Sequence, residues 1–193
     1  MSGFTKQAIQ ASFLKLLDTY PLRDITVRMI TEDCGINRKS FYYHDQDIPA
    51  LLEQILADQA AALVASYQSV RSLEECLSAV LEKLIANKRR VQNIYRSVNR
   101  DVFESVLMQV CGYLTGLYVD SAAQGFAISA QDRELVAGFY RGECFGLIMD
   151  WVMRGIPDNV LPYFHQLCTL RQGMTEHLLR RIHTAAPEAR VRI

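Results

Sequence analysis

The sequence predicts an all-α protein, and three observations lead to that prediction. No Pro lies between Pro49 and Pro157, and no Gly lies between Gly35 and Gly112. Stretches that lack these residues accommodate helices of ordinary length, and the alternation of apolar and polar residues that is typical of strands is not sustained anywhere. Half of the 193 residues are apolar and the formal net charge is zero. This composition indicates a compact globular chain rather than a disordered one.

The N-terminal part predicts three helices, of which the last two are very short. Apolar residues recur at helical spacing up to Pro21, which ends the first helix. Thr26 is placed to cap a helix that ends at Gly35, a residue type that commonly follows a helix C-terminus. Asn37 is placed to cap another helix that runs to about His44.

The remainder of the chain predicts about six longer helices. Asp47 is placed to cap the first of them. Two pairs, Ser72 with Glu75 and Ser129 with Asp132, fit the capping-box pattern at the starts of later helices.

The last two predicted helices are the longest. One covers about residues 133–154 and ends at Gly155-Ile156-Pro157, and the other covers about residues 160–183. The tail after Pro187 is expected to fray. These elements divide the chain into two domains, residues 1–47 and residues 48–193.

The second of the two short helices presents a polar surface suited to nucleic acid. Arg, Lys, Ser and Tyr donate hydrogen bonds to phosphate, and Arg, Lys and Asn also bind base edges. Two short helices joined by a tight glycine turn fit a helix-turn-helix whose second helix enters the major groove. An ordinary helical hairpin with a polar face is the alternative. The residues predicted to be exposed are Asn37, Arg38, Lys39, Ser40, Tyr42, Tyr43 and His44.

The first 60 residues resemble the DNA-binding domain of the tetracycline-repressor (TetR) family of bacterial regulators. Leu51 and Leu52 fit the start of the family's fourth helix. Beyond this region only the length and the number of helices agree with the family. The resemblance is carried by Ile25-Thr26-Val27-Arg28, Cys34-Gly35-Ile36-Asn37-Arg38 and Ser40-Phe41-Tyr42-Tyr43-His44.

The resemblance implies a role for most of these residues. The start of the second helix, Thr26-Val27-Arg28, would meet the DNA backbone, with Thr26 and Arg28 on phosphate. Tyr42 and His44 would also contact phosphate. The residues facing the groove would be Arg38, Lys39, Ser40 and Tyr43, after Asn37 at the start of the helix.

Two departures from the family pattern and the charge balance point to a second hypothesis. The family usually has an aromatic residue where this chain has Asp45, and a phosphate-binding Lys where it has Ile48. Residues 1–48 carry six Lys or Arg and six Asp or Glu, whereas nucleic-acid binders usually show a basic bias. A co-regulator that has lost DNA binding and acts through a protein partner is therefore the alternative function.

Three glycines recur every fourth residue along the helix that follows Ser129. They share one face, which another helix can approach closely. The family dimerises through its last two long helices, so the resemblance points to a homodimer; close packing within one chain is the alternative. The predicted interface comprises Gly138, Gly142, Phe145, Gly146, Met149, Phe164, Leu167, Arg171, Met174 and Leu178.

The opposite face of the same helix is apolar and aromatic. The resemblance places an inducer pocket there, which would suit a small hydrophobic or amphipathic effector; plain core packing is the alternative. The predicted pocket residues are Tyr95, Phe103, Leu107, Tyr113, Tyr140, Cys144, Leu147 and Trp151.

Other chemistry finds little support in the sequence. The four histidines lack zinc-site spacing, and the five cysteines are scattered, as expected of reduced thiols in a cytoplasmic protein. No apolar run approaches about 20 residues, so no membrane span is expected. We expect no metal, no cofactor and no enzymatic activity; a small all-α enzyme is a third hypothesis. The sequence thus predicts a TetR-like homodimeric regulator, a repressor that binds a palindromic operator and is released by a small molecule.

Overall fold

The computed structural model describes residues 2–184, and the side chains of all of these except residues 2, 3, 76 and 79. These residues form helices and no strands, as predicted. The α-helices are α1 Ser2–Leu17, α2 Val27–Cys34, α3 Arg38–His44, α4 Ile48–Ala65, α5 Leu73–Ala86, α6 Lys88–Tyr95, α7 Arg100–Ala122, α8 Ala130–Met153, α9 Val160–Leu170 and α10 Met174–Thr184. A short 3-10 helix, Leu22–Asp24, was not predicted.

The N-terminal helices α1, α2 and α3 pack around a small apolar core. Ile9, Phe13, Ile30 and Phe41 are completely buried there. Ser12 adds a buried hydrogen bond from its hydroxyl to the carbonyl oxygen of Ile30, at 3.2 Å. This bond fixes α1 against α2, so the second helix is held on the first by both apolar and polar contacts.

Helix α7 is the centre of the larger part of the chain, and it packs against α4, α5, α6 and α8. Both α4 and α7 are long and apolar enough to cross a membrane, judged by length and composition alone. Charged residues interrupt the apolar residues in both helices, for example Glu53 and Asp58 in α4, so neither is the continuous apolar run that the sequence was expected to lack. Within this fold, however, α7 contributes Phe103, Leu107, Leu114 and other residues to the common core.

The predicted last helix is in fact two helices. Gly173 has φ +80°, a left-handed conformation that interrupts the helix, and the chain resumes as α10. Seven helices therefore follow residue 47 among the described residues, instead of about six. The tail beyond Pro187, which was expected to fray, lies outside the described residues.

Helix α6 joins the N-terminal helices to the rest of the fold through hydrogen bonds. The side-chain amide of Asn93 donates to the carbonyl oxygen of Leu17 at 2.7 Å, and Arg90 binds Asp18 at 2.6 Å. The side-chain amide of Gln92 donates to the carbonyl oxygen of Val152 at 2.7 Å. Helix α6 therefore contacts both the C-terminal end of α8 and the C-terminal end of α1.

Candidate nucleic-acid interface

Side-chain caps determine where both short helices begin. Thr26 accepts a hydrogen bond from the backbone amide of Met29 at 3.2 Å, and Asn37 accepts one from the amide of Ser40 at 2.8 Å. Gly35 has φ +69° and ends α2 in the left-handed conformation that a residue without Cβ adopts easily. The predicted helix-turn-helix geometry is therefore present in the described chain.

The outer surface of α3 is polar and largely exposed to solvent. Tyr43 exposes 81% of its surface and Tyr42 exposes 57%, whereas Phe41 of the same helix is fully buried in the core. Of the ten predicted DNA-binding residues, Val27, Ser40 and His44 are half-buried and Val27 packs on the core. The other seven are exposed, namely Thr26, Arg28, Asn37, Arg38, Lys39, Tyr42 and Tyr43.

Positive and negative charges are equal in number in the N-terminal part of the chain, but some of these charges are paired with each other and others are not. Several acids are occupied by cations outside α3: Glu32 lies 2.7 Å from Arg28, and Asp33 lies 2.5 Å from Lys15. Arg38 and Lys39 form no ion pair with any described residue. A neutral domain therefore presents two unpaired cations on the exposed surface of α3.

Asp45, which replaces the aromatic residue usual in the family, has an unusual environment in the structure. It lies at the C-terminal cap of α3 and exposes 7% of its surface, and its buried Oδ2 atom has no hydrogen-bond partner among the described residues. Burial raises the pKa of this carboxyl, although the charges of Lys6 and His44 act in the opposite direction. A carboxylate is also unfavourable at a helix C-terminus, where the helix dipole is negative.

Ile48, the second departure, begins α4 and packs partly against the core. Asp47 caps α4 by accepting a hydrogen bond from the amide of Ala50 at 2.8 Å. The first turn of α4 therefore offers an apolar contact at the position where the resemblance expects a phosphate-binding Lys.

The glycine stripe lies on an open surface of α8. A Cβ atom added to Gly142 or Gly146 would meet nothing within 4 Å. Large apolar side chains beside the stripe are exposed as well, with Phe139 at 60% and Met153 at 67%. We call this surface the α8 open face; it consists of Leu135, Phe139, Gly142, Gly146 and Met153.

Two residues of the predicted dimer interface, Met149 and Phe164, lie inside the chain's own core. Phe164 exposes none of its surface and packs edge-on against Trp151, and Met149 is also buried. Arg171 faces its own chain, 2.6 Å from Glu143. The remaining residues of that set, which the structure leaves exposed or half-buried, are Gly138, Gly142, Phe145, Gly146, Leu167, Met174 and Leu178.

Most residues of the predicted effector pocket belong to the core of the described chain. Five of them are buried in the core: Phe103, Leu107, Tyr140, Cys144 and Trp151. Tyr95 and Leu147 pack partly against that core, and Tyr113 is 42% exposed. Their grouping as a ligand site remains a prediction.

A separate cleft of about 430 Å³ lies between the first turn of α5, the end of α7 and the turn that joins α9 to α10. Arg71, Tyr118, Arg171 and Thr175 are among its lining residues, and none of the eight predicted pocket residues is. This cleft was not predicted from the sequence, because it depends on the break at Gly173, which places Thr175 beside Tyr118.

A search for metal-binding clusters of His, Cys, Asp and Glu finds none within the described part of the chain. Burial raises the pKa of Cys111 to about 12. This thiol is therefore protonated at neutral pH, and it acts as a small apolar core residue.

Comparisons with known proteins indicate the family to which the chain belongs. A TetR-family model described as "Transcriptional regulator C-terminal region" matches residues 71–173. No curated protein sequence matches the chain.

Two solved structures have the same overall architecture. The "Dihydroxyacetone kinase operon activator DhaS" superposes with a TM-score of 0.73 at 17% identity, over 93% of this chain and 98% of the other. A putative TetR-family transcription regulator from Shewanella sp. PV-4 superposes with a TM-score of 0.51 at 18% identity, over 94% and 99%. At these identities the two structures support the fold. The family model covers more than half of the 193 residues, and the chain therefore belongs to the TetR family of transcriptional regulators.

Proposed function

We propose that this protein is a cytoplasmic homodimeric regulator that inserts α3 of each copy into successive major grooves of a palindromic operator. The observation that supports this most directly is the capped helix-turn-helix with unpaired Arg38 and Lys39 on its exposed surface. In a symmetric dimer, the two recognition helices must lie about 34–36 Å apart, or a multiple of that distance.

Regulation by a small molecule follows from the same geometry. An effector that prefers a state with a different helix separation reduces operator affinity, because ligands shift conformational equilibria only by their differential affinity for the two states. The hydrogen bonds of Asn93 and Gln92 provide a connection from α8 through α6 to α1.

The proposed sign of regulation is repression, because a dimer bound at a promoter blocks polymerase. The relative with a TM-score of 0.73 is named as an operon activator, so activation is the competing sign. A reporter driven by the chain's own upstream region distinguishes them, since deletion of the regulator raises expression under repression and lowers it under activation.

The first experiment measures fluorescence anisotropy of the purified protein on DNA from immediately upstream of its own gene, beside a scrambled duplex. We expect the native duplex to bind at least about 10³-fold more tightly at physiological salt. Arg38→Ala is expected to weaken specific binding by about 10-fold or more, since a base-contacting Arg contributes about 1–3 kcal/mol of discrimination.

Arg181→Ala is the matched control, because Arg181 is exposed on α10, outside the helix-turn-helix. Equal and weak binding to both duplexes would contradict the choice of operator. Selection from random-sequence DNA then decides the larger question, and enrichment of no sequence would contradict DNA recognition itself.

The second candidate function is a co-regulator that acts through a protein partner. Two observations favour it: the neutral charge of residues 1–48 and the pairing of Arg28, a predicted phosphate contact, with Glu32. If this function holds, Arg38→Ala leaves regulation of a reporter unchanged in cells.

A further inference from the structure

The cleft beside the α9–α10 break contains an unusual arrangement of charge. The side chain of Arg171 exposes 11% of its surface and reaches the cleft, while its guanidinium lies 5.2 Å from the ring centre of Tyr140. Behind it, Nη1 lies 2.6 Å from Oε1 of Glu143, a residue that does not line the cleft.

This buried ion pair is incompletely satisfied. The second carboxylate oxygen of Glu143 is buried without a hydrogen-bond partner, and Nη1 of Arg171 lacks hydrogen-bond geometry despite its short distance to Oε1. Burial raises the pKa of Glu143, against the opposing effect of Arg171. Incompletely satisfied buried charges are costly, so Arg171 has unused capacity to bind a second acceptor.

One acid that lines the cleft is engaged by a cation outside it, since Glu176 lies 2.7 Å from Arg180. Glu74 lies 3.7 Å from Nε2 of His165, a contact that is an ion pair only when the histidine is protonated. Arg71 forms no ion pair within residues 2–184. Burial raises the pKa of Cys168, another lining residue, to about 11, so this thiol adds no negative charge near neutral pH.

Hydroxyl groups complete one wall of the cleft. The hydroxyl oxygen of Thr175 lies 2.5 Å from that of Tyr118 and 2.6 Å from that of Tyr140. Ser72, the N-cap residue of α5, also lines the cleft. The first turns of both α5 and α10 border the cleft, and helix N-termini favour negative charge.

We propose that this cleft binds a small organic or inorganic anion with a carboxylate or phosphate group, held by Arg71 and Arg171 and by the hydroxyls of Ser72 and Thr175. The groups favour an anion over an uncharged ligand because Arg forms charge-assisted, frequently bidentate hydrogen bonds with these oxyanions. Its role as effector site rests on the proposed function, whereas binding itself does not.

Binding at this position would act on α8. An anion that engages Arg171 shares the guanidinium with Glu143, and Glu143 directly follows Gly142 of the α8 open face. The interaction that offsets the burial of Glu143 would then change. The cleft and the open face are therefore connected through one ion pair.

The test is isothermal titration calorimetry of the free protein, without DNA, using citrate, inorganic phosphate and phosphoenolpyruvate at matched ionic strength. Glycerol serves as the uncharged probe. We expect binding of at least one anion and none of glycerol. Binding of citrate alone would show that the cleft recognises a carboxylate group, and binding of phosphate would show that it recognises a phosphoryl group.

The variants are chosen to keep the fold intact. Arg71→Gln is expected to weaken binding about 10-fold, which corresponds to the loss of one charge-assisted hydrogen bond. Thr175→Val is expected to weaken it less. The double variant Glu143→Gln with Arg171→Gln leaves no unpaired buried charge and is expected to abolish binding.

Arg181→Gln is the control, because Arg181 is exposed on α10 and does not line the cleft. Absence of binding for all three anions up to about 10 mM, where a millimolar dissociation constant is measurable, would overturn the proposal. So would preferential binding of glycerol, or equal affinities in the native protein and Arg71→Gln. None of these results depends on whether the protein binds an operator.

Discussion

At the scale of single residues, Asp45 is notable because it places a carboxyl group in a nearly buried position. Its carboxyl is nearly enclosed and one oxygen has no partner among residues 2–184. Because burial raises its pKa, the folded protein binds the proton more tightly than the unfolded chain does. As far as Asp45 is concerned, stability is therefore greatest below the unfolded pKa of about 3.9, and it falls as the pH rises through the raised folded pKa.

Asp45→Asn is accordingly expected to raise the free energy of unfolding by about 1 kcal/mol near neutral pH, because it removes a buried charge with an unsatisfied oxygen. The gain should shrink as the pH falls through the raised folded pKa towards the unfolded value of about 3.9, below which the carboxyl is protonated in both states. Urea unfolding near neutral pH and at about pH 4 measures this change in the free energy of unfolding. Asp47→Asn is the control, since Asp and Asn both cap a helix well. If Asp45→Asn raised the free energy of unfolding by the same amount at both pH values, the result would contradict the argument.

At the scale of helices, the N-terminal cap of α3 links local chemistry to recognition. Asn37 accepts hydrogen bonds from the amide and the hydroxyl of Ser40, at 2.8 and 3.1 Å. Asn37→Ala is expected to lower the free energy of unfolding by about 1 kcal/mol. Asn37→Asp retains a capping oxygen and should restore most of it in urea unfolding. Equal losses in both variants would show that the cap contributes nothing.

The helix boundaries that could be predicted are those that depend on neighbouring residues. Thr26, Asn37 and Ser129 each cap a helix through the amide three positions later, so the local sequence contains the whole interaction. Ser72 caps α5 as predicted, but Glu75 accepts from the amide of Arg71, which makes the capping box incomplete.

The break between α9 and α10 was not predictable from the same rules. Apolar residues continue at helical spacing across Gly173, and Gly within a helical pattern is tolerated at a cost of about 1 kcal/mol. Packing contacts decide the conformation there: Thr175 meets Tyr118 and Tyr140 from two other helices. The cleft depends on such distant contacts, so the sequence could indicate the proposed DNA-binding surface but not this cavity.

At the scale of the whole molecule, the α8 open face is the surface that most needs a partner. Phe139 and Met153 together with the glycine stripe form an apolar strip on a helix that otherwise contributes to the core. Exposed apolar strips of this kind commonly mark interaction surfaces. A second copy of the chain satisfies the two-fold symmetry that a palindromic operator requires.

If the proposed dimer forms through this face, Phe139→Glu is expected to convert it to a monomer, because the variant places a charge in a contact that would exclude water. Sedimentation velocity measures the change, and circular dichroism should show the same helix content, since Phe139 is 60% exposed in the single chain. Loss of the dimer should also weaken operator binding by several orders of magnitude, because each half-site is then bound separately.

Val98→Glu is the matched control, since Val98 is 95% exposed and lies outside α8. Gly142→Ala tests the same surface with a smaller change. Ala is favoured over Gly by about 1 kcal/mol within a helix, and the added methyl group has open space in the single chain. The variant should therefore strengthen α8 yet weaken dimerisation if helices cross at the stripe. A dimer that tolerates both Phe139→Glu and Gly142→Ala would mean that the two copies associate through another surface.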